Sequence, residues 1–170
     1  MKIHNLTLSF IILLCGILLP RDFDQRDIPI HENGRIKPLD TFVRNQLLVI
    51  YGKRSIKPKA LPEELNSKGL SAIDWFFDIA INPDEGDKYR VFNISNPEVV
   101  ASLGLYWDPS HLYNRKEILS GLKNQIDYIT TIQGKPEAEL TQFDIHMLKV
   151  YSNVIQYQTL SYSLSCLLPL

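Results

Sequence analysis

A chain of 170 residues with 45% apolar side chains is long enough for one modest domain with a real core, and its composition is not that of a disordered chain. Its 18 lysines and arginines against 19 aspartates and glutamates leave a net charge of -1, which argues against a nucleic-acid partner. The two cysteines, Cys15 and Cys166, sit in apolar runs at opposite ends with no disulfide expected between them, and the absence of Cys-x-x-Cys-His excludes covalent haem attachment to this chain.

Residues 1–20 open with Met1-Lys2 and continue as an apolar run from Leu6 to Leu19, interrupted by Thr7, Ser9, Cys15 and Gly16 and ended by Pro20-Arg21-Asp22. The run has signal-peptide length, whereas a full bilayer span needs about 20 apolar residues. It is an export signal or a short anchor, with the basic head inside and the rest of the chain outside the cytoplasmic membrane. Leu14 is too large for the residue before a lipidated cysteine, so Cys15 reads as an ordinary apolar thiol, with a lipid anchor as the alternative.

The span Ile28 to Phe42 packs a turn, a proline stop and a helix start into a few residues. Asn33-Gly34 tolerates positive φ, Pro38 forbids helix before it, and Asp40 or Thr41 can accept hydrogen bonds from the first N–H groups of a helix. Arg35 and Lys37 alternate with Ile36 and Leu39, which places charges on one side and apolar groups on the other. Gly34, Arg35, Lys37, Pro38, Asp40 and Thr41 are therefore the candidate partner-binding residues, a well-formed loop being the plainer reading.

Helical spacing runs from Asp40 to Tyr51, with Gly52 as the C-terminal cap. Lys53, Arg54, Lys57 and Lys59 with Pro58 and Pro62 read as a solvated linker rather than a phosphate or lipid-headgroup site. Ser71 caps a helix over Ala72 to Ile81 whose Trp75, Phe76 and Phe77 read as core before they read as a ligand shelf. Asp84, Glu85 and Asp87 lie in a glycine turn and are expected to be solvated. Tyr89 to Ile94 alternates like a half-buried strand, with the Ile28–Ile36 segment as its expected partner.

Asn96-Pro97-Glu98 starts a short helix ending near Leu103-Gly104. A loop over Leu105 to Tyr113 carries Trp107 and His111, and Asn114 with Glu117 forms a capping box for a helix reaching Gln133. After Gly134-Lys135-Pro136 a last amphipathic helix is expected from Glu137 to near Cys166. Leu160 to Leu170 is apolar but too short to span a bilayer, as in a truncated reading frame or an excised piece. The expected fold is mainly α with a small β element (α+β), a helical domain behind an N-terminal signal or anchor helix. Its expected divisions are 1–20, 21–134 and 135–170.

Chemistry is sparse. His4, His31, His111 and His146 have no second histidine or cysteine at ligand spacing, so no metal centre is expected. His31 beside Glu32 and His111 in the Trp107 loop are the candidate axial haem ligands or proton carriers, with loop surface as the plainer reading, and His146 reads as edge of core. No Gly-x-Ser-x-Gly, phosphate-binding glycine loop or close Cys-His pair occurs, and no catalytic residue is assigned.

The run Gly34-Arg35-Ile36-Lys37-Pro38-Leu39-Asp40-Thr41 resembles the Gly-Arg-x-Lys-Pro-Leu-Asp-Thr segment of system II (Ccs/Res type) cytochrome c biogenesis membrane proteins. The resemblance continues through Ala72-Ile73-Asp74-Trp75-Phe76-Phe77 and Val91 to Val100 up to Leu105, in the family's order. It implies a domain outside the cytoplasmic membrane that helps assemble c-type cytochromes, with membrane-embedded biogenesis proteins and apocytochrome c as partners and haem as the cargo. The family's haem-handling part is a tryptophan-rich loop between membrane helices. Here Trp75 and Trp107 are isolated and no histidine matches the family's haem ligands, so no haem-binding residue carries over.

Overall fold

The computed structural model describes residues 24–62 and 68–164; the expected signal or anchor segment and the apolar end from residue 165 lie outside them. After a 3₁₀ turn at Gln25–Asp27, strands β1 (Pro29–Glu32) and β2 (Arg35–Pro38) form an antiparallel hairpin with Glu32 opposite Arg35 and Pro29 opposite Pro38. Asn33 and Gly34 both take positive φ, 52° and 75°, as a two-residue hairpin turn requires.

Helix α1 (Leu39–Tyr51) starts without a side-chain cap. Pro38 is its N-cap, and the Leu39 N–H donates at 2.8 Å to the Ile28 carbonyl, so the hairpin itself occupies the first helical donor. Asp40, expected to cap, sits instead in the first turn and takes Arg44 at 2.7 Å. Gly52 closes the helix in the left-handed region at φ 78°.

The four cations of the next segment are exposed as expected, but the segment is not a plain linker. Ser55–Ile56 (β3) pairs with Leu70–Ser71 (β4), and Ile56, Ala60 and Leu61 are buried between the charges. Helix α2 (Ala72–Ile81) is capped by the Ser71 hydroxyl, which accepts from the Asp74 N–H. Its aromatic content is core: Trp75 is fully buried, 6.1 Å from the Tyr157 ring, and Phe92 lies 5.4 Å from Tyr157 on another side.

A short helix α3 (Pro83–Gly86) follows, and then β5 (Phe92–Asn93), whose partner is β6 (Leu112–Tyr113) rather than the Ile28–Ile36 segment. The Asn33-Gly34 turn lets that segment pair with itself at minimal loop-closure cost, which leaves β5 to a later strand. Helix α4 (Pro97–Ser102) keeps the expected cap, Asn96 accepting from the Glu98 and Val99 N–H groups.

The expected helix over 114–133 is two helices, α5 (Arg115–Asn124) and α6 (Ile126–Gln133), broken at Gln125. No glycine or proline marks the break. The Gln125 side chain donates at 3.1 Å to the Ser102 carbonyl at the end of α4, a tertiary bond that no local pattern encodes. The last helix, α7 (Gln142–Ser161), starts five residues later than expected, behind a 3₁₀ turn at Glu137–Glu139, because Thr141 and Asp144 form a reciprocal capping box.

α7 runs across the molecule and packs against α1, α2, α4 and α6, with Met147, Val150, Val154, Tyr157 and Leu160 in a single core. The described residues are mostly helical with three two-stranded antiparallel sheets, an α+β fold. Among them no helix is long and apolar enough to cross a membrane.

Candidate functional site

The hairpin is braced from behind by a polar strap. Cross-strand partners share a face, so Ile30 and Glu32 stand with Arg35 and Lys37 on one side, and Pro29 and His31 with Ile36 and Pro38 on the other. On the first side Lys37 is ion-paired to Glu32, and Glu32 also accepts at 3.0 Å from Gln46 on α1. Gln46 in turn accepts from Gln156 on α7. Ile30, Glu32 and Lys37 are half-buried, so this charged side faces the body.

The other side points outward. Pro29, His31, Ile36 and Pro38 are all exposed, Ile36 at 75%. Charges and apolar groups do segregate as their alternation implies, but the usual direction is inverted: ionic inward, apolar outward.

Of the candidate partner-binding residues, Gly34, Arg35, Pro38 and Thr41 are exposed and Lys37 and Asp40 half-buried. Lys37 and Asp40 are engaged within the protein, with Glu32 and Arg44. Arg35, at the hairpin tip, makes no ion pair among the described residues. The structure thus gathers Gly34 to Thr41 on one braced hairpin and the first turn of α1. Glu32, Gln46 and Gln156 escape sequence reasoning; only the position of Glu32 beside a turn with a lysine three residues beyond it was a usable signal.

His31 lies exposed on β1 and His111 lies in the loop before β6, with no hydrogen bond or ring contact between them. His111 has φ 57°, its ring meets Trp107 edge-on at 4.7 Å, and its Nδ1 has no hydrogen-bond partner. Its loop is tightly held. The Tyr113 hydroxyl donates to the Tyr106 carbonyl at 3.1 Å and accepts from the Asp108 N–H at 3.2 Å, while Arg90 pairs with Asp108 at 2.7 Å. Hydrogen bonds from Ser110, with help from the Arg90 guanidinium, hold the Asp108 carboxyl down at about 2. An open cleft of about 320 Å³ lies along this loop, with Tyr106 94% exposed at its rim. His146, as expected, is half-buried on the edge of α7, its Nδ1 2.8 Å from the Gln142 carbonyl.

Asp84 and Glu85 are solvated as expected, but Asp87 is not. It is buried and takes Arg115, the first residue of α5, at 2.8 Å. Tyr157 on α7 faces the same pocket of charge, and burial together with the Asp87 carboxylate pushes its phenol upward. A cation in the first turn of a helix opposes the helix dipole, and that misplaced charge was the one sequence hint of a tertiary partner. No group of three or more histidines, cysteines or acids is placed to hold a metal among the described residues. No protein-family model, curated protein or solved structure matches the chain.

Proposed function

We propose that the chain is the non-catalytic extracytoplasmic part of a c-type cytochrome assembly factor, tethered at the cytoplasmic membrane by its N-terminal apolar segment. It scaffolds haem delivery or apocytochrome handling by docking a membrane-embedded biogenesis partner. The Gly34–Thr41 resemblance supports this, and one observation carries it: Arg35 is exposed and makes no ion pair among the described residues, at the tip of a hairpin strapped through Glu32 to two helices. A guanidinium so placed suits a carboxylate on the partner, because its planar fork can give two parallel hydrogen bonds to the two carboxylate oxygens.

Arg35→Gln weakens capture of a co-expressed system II biogenesis membrane protein by about tenfold or more, the loss of one charge-assisted hydrogen bond, and leaves the melting temperature unchanged, since no second carboxylate is set opposite Glu32. Lys37→Glu behaves differently, lowering the melting temperature because it sets a second carboxylate against Glu32. Undiminished capture by the Arg35 variant would discard the docking role.

Titrating haem into the purified chain produces no Soret shift that His31→Ala or His111→Ala abolishes. A histidine-dependent shift would replace scaffolding by direct haem ligation, with the rigid Trp107–His111 loop as its seat.

A further inference from the structure

We infer that the outer face of the β1–β2 hairpin, formed by Pro29, His31, Ile36 and Pro38, lies against the lipid headgroup region of the membrane that holds the chain; this rests on the tether in the function proposed above. The face carries Ile36 and two prolines beside a single histidine, all exposed, and is backed by an ionic strap, so the protein spends its polar contacts on holding that face outward.

Two observations select lipid as the occupant. The first is reach. The apolar run ends at Leu19 and the hairpin begins at Pro29, so nine residues join them. Fully extended these span about 30 Å, and the compact turn at Gln25–Asp27 shortens that further. The hairpin is therefore confined near the point where the chain leaves the bilayer, whose headgroup layer is itself about 5–8 Å deep on each side.

The second is the hairpin's edges. The Leu39 N–H bonds the Ile28 carbonyl, so the ladder's hydrogen-bonded pairs are Ile28/Leu39, Ile30/Lys37 and Glu32/Arg35. The outward-pointing peptide groups then belong to Pro29 and His31 on one edge and to Ile36 and Pro38 on the other. Each proline lacks an N–H, so each edge presents a single outward donor within its strand, too few to template an added strand from a protein partner. What remains attractive is the side-chain surface, Ile36 and the two proline rings at the level of the acyl boundary.

The test uses the full chain with Cys15→Ser and Cys166→Ser, a single Ile36→Cys carrying an environment-sensitive nitrobenzoxadiazole label, and phosphatidylcholine/phosphatidylglycerol vesicles. Vesicle flotation reads the tether. Label emission reads the face, and the expected result is a blue shift on vesicle binding with at least twofold quenching by nitroxide-bearing lipids. A chain that floats while its label stays water-like and unquenched overturns this inference and leaves the tether standing. A chain that fails to float overturns both. A label that is shielded only when the biogenesis membrane protein is co-reconstituted assigns the face to protein and overturns the lipid contact.

Discussion

Gly121→Ala destabilises the protein by about 3 kcal/mol or more, although alanine is the better helix former by about 1 kcal/mol. Gly121 is buried in α5 where it crosses the end of α4, and a Cβ there would lie 2.2 Å from the Leu103 carbonyl oxygen and 2.8 Å from the Leu103 Cα. Those are backbone atoms, which no rotamer change can move aside. α5 must lift away from α4, and the buried contacts of Ile118 and Leu122 on its inner face open with it. At about 2–4 °C per kcal/mol for a chain of this size, the melting temperature falls by about 6–12 °C. Gly134→Ala is the internal control: its Cβ would meet nothing closer than 3.6 Å, so thermal melting moves little or upward. Equal melting temperatures for Gly121→Ala and the parent would refute the close crossing of α4 and α5.

Arg115→Met costs about 3 kcal/mol in urea denaturation, because it strands the Asp87 carboxylate. The two side chains are 17% and 8% exposed, so their 2.8 Å bond is largely withdrawn from water, and removing one partner leaves a buried charge without its counter-ion. The Tyr157 phenol beside it offers no positive charge in compensation. The double variant Asp87→Ala with Arg115→Met recovers part of the loss, since both charges are then gone and only packing is missing. If the double variant were as unstable as the sum of its single losses, the pair would not be coupled and the bridge would carry no weight. The bridge ties the turn after α3 to the start of α5, elements separated by two strands, a helix and the Trp107 loop.

That Gly34 to Thr41 forms a turn followed by a helix was legible, because Asn33-Gly34 and Pro38 act on their own backbone and neighbours within a few residues. That Lys37 is already spent on Glu32, while Arg35 remains available, was not, since it depends on which strand lies alongside. Asp40 illustrates the limit within a single turn: it has the chemistry of a cap, but the hairpin supplies the first helical donor's partner and Asp40 turns to Arg44.

By itself the sequence determined the features whose physics is local: the Asn33-Gly34 turn, the Gly52 helix stop, the Ser71, Asn96 and Asn114 caps, and the burial of the Trp75 helix face. Each involves groups at most a few residues apart, so the chain's own short-range geometry selects them. Only the tertiary structure decided the partner of β5, the break at Gln125, the burial of Asp87 and the side of the hairpin turned to the body. A strand's alternation makes its two faces different without saying which faces in. That choice falls to Gln46, which donates to Glu32 from 14 residues along the chain, and to Gln156, which donates to Gln46 from 110 residues away once the two helices have packed together.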